Sequence, residues 1–381
     1  MTTAELNYAD GELTLSRPGT DDPTLRAWDA ADELLLEEGL NAASGVTKPR
    51  VLIVDDQYGA LSLGLSGLSP VIVADSATLF AALDENASLN PSLIAPSQVR
   101  SWINPPEGPF DLVVMRIPRQ ADYLGWLLRW LNGVVAESGV LLAGGMIKHL
   151  PARSVDVFAE TVNTEKVLSA RKKARVIRCR KGSKLPGDWP GTWKGYLLTG
   201  QSDHKVEALP AVFAREKLDI GTRLLLPCVA EAVRKAEPGA RVLDLACGNG
   251  VLGMTALAGR QDLQVCFSDV SSQAVLSASR NVERAFPEAE VAFVHADGIE
   301  SGQGRFDLIL LNPPFHEGGV VGNHISLRLF GQAARHLSPG GRLLMVGNRH
   351  LGYHRSLRRH FSSIHQLDAS PKFVVFQAGN R

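Results

Sequence analysis

In the second half of the chain, short apolar runs alternate with glycine turns and helix-like stretches. Arg241-Val242-Leu243-Asp244-Leu245 reads as a buried strand entering the turn Ala246-Cys247-Gly248-Asn249-Gly250, and Val251 to Gly259 then reads as a helix. A second strand, Val265 to Ser268, ends at Asp269, and a third, Val291 to Ala296, ends at Asp297. A fourth, Phe306 to Leu311, is stopped by Asn312-Pro313-Pro314-Phe315, because paired prolines can neither continue a strand nor enter a helix interior. Strands alternating with helices predict an open α/β sheet. All four polar positions then lie at carboxyl ends of strands, the edge where such sheets bind ligands.

The order recurs in the first half. Val51-Leu52-Ile53-Val54-Asp55-Asp56-Gln57-Tyr58-Gly59 parallels the strand and glycine turn, Val71 to Asp75 parallels the strand ending at Asp269, and Phe110 to Pro118 parallels Phe306 to Pro314. Lys148-His149-Leu150 returns as Arg349-His350-Leu351. The chain reads as a duplicated domain. Between the copies, residues 182–203 are rich in Gly and Pro, with Tyr196-Leu197-Leu198 as a short strand. The predicted domains are 1–185 and 206–381, joined by a linker at 186–205. Asp219-Ile220-Gly221-Thr222 reads as a helix start.

At 381 residues, 45% hydrophobic and 21% charged, the chain is long enough for two cores and ordinary for a soluble protein. No apolar stretch is long enough to span a bilayer, so no membrane partner is expected. Cys179, Cys228, Cys247 and Cys266 are scattered without metal-ligand spacing, which predicts no metal, no disulfide and a reducing cytoplasm. A duplicated chain already supplies its own second domain, and a monomer is expected.

The residue types at the fourth strand end suit one chemistry. An exocyclic amine on a nucleobase is a poor nucleophile because its lone pair is delocalised into the ring. Asn312 can accept one N–H on its side-chain oxygen and Pro313 another on its carbonyl, while Phe315 stacks on the base. Pro314 ends the turn. No strong base is needed when the methyl donor is a sulfonium. Gly248 and Gly250 let the backbone approach such a donor, and Asp269 can accept from ribose hydroxyls and Asp297 from an adenine amine. Gly248-x-Gly250-x-x-Gly253 also fits a dinucleotide fingerprint, which keeps a nicotinamide oxidoreductase in view. Asp244 argues against it, since an acid in that turn repels a pyrophosphate and suits a cationic donor. The first copy has Gln57 and Tyr58 in place of the paired glycines and Arg116-Ile117-Pro118-Arg119 in place of Asn312 to Phe315. Bulky side chains there are expected to fill the donor pocket, and arginines cannot accept from an amine.

Asp244-x-Ala246-Cys247-Gly248-x-Gly250, the two strand-end acids and Asn312-Pro313-Pro314-Phe315-His316 resemble class I S-adenosylmethionine-dependent methyltransferases that act on exocyclic amines. Phe213 to Leu226 and Gly347-Asn348-Arg349-His350-Leu351 narrow the resemblance to the bacterial ribosomal RNA guanine-N2 methyltransferases. Ala27 to Glu33 and Lys372-Phe373-Val374-Val375 look most like the large-subunit members, with the small-subunit members as the alternative. The resemblance covers nearly the whole chain. It implies an α/β fold of two tandem Rossmann-like class I methyltransferase domains from an internal duplication, the N-terminal one degenerate and used to bind and orient RNA. It implies S-adenosylmethionine as methyl donor, held by Asp244, Ala246, Gly248, Gly250, Asp269, Asp297, Arg215 and Thr222. It also implies N2 methylation of a guanine in 23S ribosomal RNA, with 16S RNA, adenine or a protein glutamine as alternative targets. A purely structural RNA-binding role would require an empty second glycine turn.

The net charge is zero, but Arg171 to Lys184 holds eight basic residues and no acid. Val176, Ile177 and Cys179 suggest a strand there. Arg171, Lys172, Lys173, Arg175, Arg178, Arg180 and Lys181 are therefore expected to line one edge of the N-terminal domain as a phosphate-binding strip, with Trp189 and Trp193 as stacking partners. A solvated edge strand protected by charge is the plainer reading.

Overall fold

The computed structural model describes residues 2–20, 22–94, 96, 98–198, 204–314 and 324–380. The chain divides into two compact units, Met1–Thr192 and Trp193–Arg381.

The first unit opens with an antiparallel hairpin of β1 (Thr3–Tyr8) and β2 (Gly11–Ser16). Helix α1 (Ala30–Ala43), β3 (Val51–Val54), α2 (Ala60–Gly64), β4 (Val71–Val73), α3 (Thr78–Leu89) and β5 (Val99–Arg100) follow. Next come β6 (Phe110–Arg116), α4 (Ala121–Val134), β7 (Val135–Met146), α5 (Ser154–Thr161), β8 (Asn163–Val167) and β9 (Ala174–Arg180). Its sheet runs β5-β4-β3-β6-β7-β9-β8.

The second unit repeats the plan. A hairpin of β10 (Lys194–Leu198) and β11 (His204–Ala208) precedes α6 (Ile220–Arg234), β12 (Arg241–Leu245), α7 (Val251–Gly259), β13 (Gln264–Asp269), α8 (Ser272–Ala285) and β14 (Val291–His295). Then follow β15 (Phe306–Leu311), α9 (His324–His336), β16 (Leu337–Asn348), α10 (Tyr353–Leu357), β17 (Ser363–Ala369) and β18 (Phe373–Gly379). The sheet order is β14-β13-β12-β15-β16-β18-β17. Strands β14 to β16 pair in parallel, and β18 pairs antiparallel with β16.

Near-continuous apolar runs arise because both faces of these sheets are covered. In the second unit Val242, Leu308, Leu310 and Leu344 enter one buried cluster, whereas Leu243, Ile309, Leu311 and Leu343 enter another. Alternation along each strand thus feeds two layers.

The duplication extends to side-chain detail. The Arg50 backbone N–H donates to Asp111 Oδ2 at 2.8 Å and its guanidinium lies 5.0 Å from the Phe110 ring. Arg241 does the same with Asp307 at 2.9 Å and Phe306 at 4.9 Å. Asn86 clamps both backbone groups of Ser16 and donates to the Tyr58 carbonyl, as Asn281 clamps Glu207 and donates to the Asn249 carbonyl. The expected linker at 186–205 needs correction at its C-terminal end. Lys194–Leu198 pairs with His204–Ala208 as the counterpart of the β1–β2 hairpin, so the second unit begins at Trp193 rather than residue 206. Gly and Pro composition marked the break but could not show that the strand within it pairs forward.

Candidate active site

In the second unit the order of strands reverses at β12, with β13 on one side and β15 on the other, which opens a crevice at their carboxyl ends. Strand β12 runs into a turn that the backbone can make only with left-handed residues. Ala246 has φ +57°, Gly248 +56° and Gly250 +84°. A Cβ on Gly248 would meet nothing within 4 Å, so the turn presents bare backbone to open space. Gly250 caps α7, and the Gly253 N–H donates to Asp244 Oδ2 at 2.8 Å.

Asp244 is fully buried, its other oxygen has no partner among the described residues, and burial pushes its carboxyl up to about 8. Asp269 closes β13, accepting from the N–H groups of Gly248 at 2.8 Å and Ser271 at 2.9 Å. Those bonds brace the turn. Asp297 lies two residues beyond β14, and Arg328 of α9 grips both of its oxygens. A buried Asp244 carboxyl oxygen without a partner among the described residues, an open glycine turn and a braced strand-end acid form a cradle suited to a cationic nucleoside. Among the described residues no cluster of His, Cys, Asp and Glu could hold a metal.

Asn312 follows β15 directly. Its Nδ2 donates to Thr222 Oγ1 at 2.8 Å and to Asp219 Oδ2 at 3.4 Å. Asp219 caps α6 by accepting from the Thr222 N–H at 2.9 Å and also accepts from the Thr222 hydroxyl at 3.4 Å. An ionised carboxylate offers only lone pairs, so Thr222 donates to it and accepts from Asn312. The amide nitrogen must face the helix start, and Oδ1 faces the other way. That oxygen is buried and has no partner among the described residues. Leaving such an acceptor unsatisfied costs about 1–3 kcal/mol, and such an orphan calls for a functional explanation.

Of the expected donor contacts, Asp244, Ala246, Gly248, Gly250 and Asp269 gather at one turn, and Asp297 follows the next strand. Thr222 accepts from the Asn312 amide. Arg215 is buried, and its Nε donates to the Ala208 carbonyl at 3.0 Å, pinning the segment before α6. Asn312 and Pro313 lie together at the end of β15, and Pro314 is exposed. Phe315 and His316 fall outside the described residues. Asp219 was legible only as a helix cap, and Arg328 carried no sequence signal.

The first unit fills the equivalent positions differently. Ile53 stands where Asp244 does, and Asp55, at φ +54°, stands at Ala246. In the same register Tyr58 stands at Asn249 and is buried in the core, Gly59, at φ +96°, stands at Gly250, and only Gln57 replaces a glycine of the pair, where it is exposed and fills nothing. Trp102, after β5, donates from its Nε1 to the Tyr123 hydroxyl at 2.8 Å, and its ring packs edge-on at 4.9 Å against both Trp126 and Trp130. Arg116 occupies the Asn312 position, and its guanidinium grips both oxygens of Asp29 at 2.8 Å and reaches Asp32 at 3.1 Å.

The basic stretch also departs from expectation. Its strand, β9, lies between β7 and β8 rather than at the sheet edge. Arg171 pairs with Glu37, Lys172 with Glu33, Arg178 and Arg180 with Glu165, and Lys181 with Glu137, and among the described residues Lys173 and Arg175 make no ion pair. Trp189 and Trp193 are already covered by Arg129 at 4.7 Å and Arg280 at 4.3 Å. The acids that neutralise the strip come from other elements, which is why the run looked unopposed in sequence.

The RLMG N-terminal domain family matches residues 3–183, and the methyltransferase small domain family matches residues 203–377. A T. thermophilus 16S rRNA N2 methyltransferase, solved in complex with AdoMet and guanosine, shares the fold. It aligns with a TM-score of 0.76 over 100% of this chain and 98% of that one, at 22% identity. Both units are thus Rossmann-like methyltransferase domains. A ribosomal RNA large subunit methyltransferase G of Alcanivorax borkumensis is 39% identical over 378 residues, 96% of this chain and 95% of that one. Its namesake in Pseudomonas syringae pv. tomato is 38% identical over 376 residues, 96% and 97% of the two chains. Identity of this order, from the first hairpin to the last strand, places the protein in the ribosomal RNA large subunit methyltransferase G family.

Proposed function

We propose that the second domain transfers a methyl group from S-adenosylmethionine to the exocyclic N2 amine of a guanine in 23S ribosomal RNA. The observation that carries this reading is the Asn312 amide, turned by Asp219 and Thr222 so that a buried, unpartnered oxygen waits at the strand end. The large-subunit names of the full-length relatives favour 23S over 16S RNA.

Bound in the turn, the donor supplies an electrophilic methyl on a sulfonium. Asp244, Gly248, Gly250 and Asp269 hold it there. Asn312 Oδ1 accepts one N–H of the amine and the Pro313 carbonyl accepts the other, which aims the nitrogen lone pair at the donor. The methylated amine is acidic enough to release its proton to water, so no residue need act as base. Rate then comes from positioning, which alone can supply large factors. A guanine inside a helix cannot present this amine, so the target base is flipped or already in a loop.

The first domain, with Ile53 at the Asp244 position and Arg116 at the Asn312 position, orients RNA without catalysis. Among the described residues no helix is long and apolar enough to cross a membrane, and the protein works as a cytoplasmic monomer. Tritiated S-adenosylmethionine with separated 23S and 16S RNA from cells lacking the protein tests the reading. Label in N2-methylguanosine from 23S RNA is expected. Label only in 16S RNA, or in neither, would overturn it.

A further inference from the structure

The duplication supplies an internal control for surface charge. After β7 the chain turns through Ile147–His149 into α5, and after β16 it turns through Arg349–Leu351 into α10. In the first domain this stretch, Lys148 to Glu160, sets Lys148 and Arg153 against Asp156 and Glu160, and Arg153 bonds Asp156 at 3.2 Å. In the second, Arg349 to His360 holds four arginines, three histidines and no acid. Arg349, Arg355, Arg358 and Arg359 are all exposed, and none has an ion-pair partner among the described residues.

The spacing concentrates the charge. Arg355, Arg358 and Arg359 stand at i, i+3 and i+4 on α10 and the turn that continues it, which sets them on one face. Lys372 joins from the bend before β18, where its carbonyl accepts from the Arg349 N–H at 2.9 Å. Cations in the last turn of a helix complement its free carbonyls. That accounts for charge at the end of α10 but not for Arg349 ahead of the helix or Lys372 outside it.

The surface is coupled to the amine-gripping turn. Tyr353, the first residue of α10, is buried, and its hydroxyl lies 3.0 Å from Ser326 Oγ, which reaches the Pro314 carbonyl at 3.5 Å. A Cβ on Gly347 would come within 2.3 Å of the Tyr353 ring, so the helix is seated tightly on the end of β16. In the basic strip of the first domain, by contrast, five of the eight basic residues pair with four acids.

We propose that Arg349, Arg355, Arg358, Arg359 and Lys372 form the phosphate-docking surface for the RNA strand that flanks the target guanine, on the catalytic domain itself. The inference rests on the RNA reading of the active site. Free arginine forks beside the turn grip the backbone on either side of a displaced base, a contact that positions the strand without reading sequence.

The test compares the full chain with R355Q/R358Q/R359Q and R171Q/R178Q/R180Q, measuring 23S RNA affinity over a salt series, donor affinity by titration, and methyl transfer. The first triple variant is expected to lose RNA affinity at least about tenfold at low salt. It should also flatten the slope of log affinity against log salt by about 2–3, each phosphate contact being worth ~0.7–0.9. Its donor affinity stays unchanged, which shows that it folds. The second triple variant moves less, and R355K/R358K/R359K restores the slope. An unchanged slope in R355Q/R358Q/R359Q, with wild-type transfer to 23S RNA intact, overturns the docking surface alone. Absence of transfer and RNA binding in the wild type overturns both readings.

Discussion

The two domains place the same three positions in contact and use them for opposite ends. In the first, the helix cap Asp29, Asp32 one turn on, and Arg116 at the strand end close into an ion cluster. In the second, the cap Asp219, Thr222 and Asn312 form a hydrogen-bonded relay that ends in an unpaired oxygen. One arrangement satisfies its own groups and is finished. The other leaves an acceptor that a substrate must complete. A fold can be inherited whole while its chemistry turns on three side chains.

That contrast can be broken most directly at Asn312. Asn312→Ala should lower the transfer rate by at least about a hundredfold, the scale of losing a preorganised polar contact, while donor affinity measured by titration stays as it was. Normal turnover would remove the mechanism. Copying the first domain into the second with Thr222→Asp and Asn312→Arg should also end transfer yet leave a folded chain, judged by thermal unfolding and donor binding.

On the other side, Arg116→Ala strands Asp29 and Asp32 against each other. Loss of one partner from a buried ion pair costs about 3–5 kcal/mol, so denaturant unfolding should show a weakened first domain with donor affinity untouched. Unaltered stability would mean that the cluster is not the brace described here. A milder probe is Thr222→Val, which frees one amide hydrogen of Asn312. Losing about 1.4 kcal/mol of orientation corresponds to roughly a tenfold fall in rate, with little change in donor binding.

Smallest is a pH effect. Burial pushes Asp55 up to about 7, helped by the nearby Asp75, and Asp244 up to about 8. A folded-state carboxyl above its unfolded value of ~4 holds a proton that the unfolded chain releases. The stability it contributes is full below pH ~4 and is lost as pH rises through about 7 for Asp55 and about 8 for Asp244. Thermal midpoints of the donor-free protein should fall across that window, and Asp244→Asn should flatten the upper part. A midpoint that rises with pH there would contradict the sign.

Much of the site was legible because its signals are local. Paired prolines end a strand wherever they occur, and Asp244, Gly248 and Asp269 lie within one strand-turn-helix-strand unit. The repeat was visible too, down to Lys148-His149-Leu150 and its echo. What escaped was contact between distant segments. Thr222 was read as a donor contact, and its bond to an amide 90 residues away was not foreseen. The Gly and Pro content near residue 190 marked a break without showing that β10 pairs forward to β11. Eight basic residues without an acid between them read as a free strip, although their acids sit on other elements such as α1 and β8.

By itself the sequence determined the strand ends, the open glycine turn, the duplication and the kind of chemistry that Asn312-Pro313-Pro314 can perform. These follow from backbone restrictions and residue types that act over a few positions. The tertiary structure decided which way the Asn312 amide points, which acids cancel the basic strand, and which arginines remain free beside the site. Those outcomes depend on charges and hydrogen-bond donors brought together through space, and no local pattern encodes such distances.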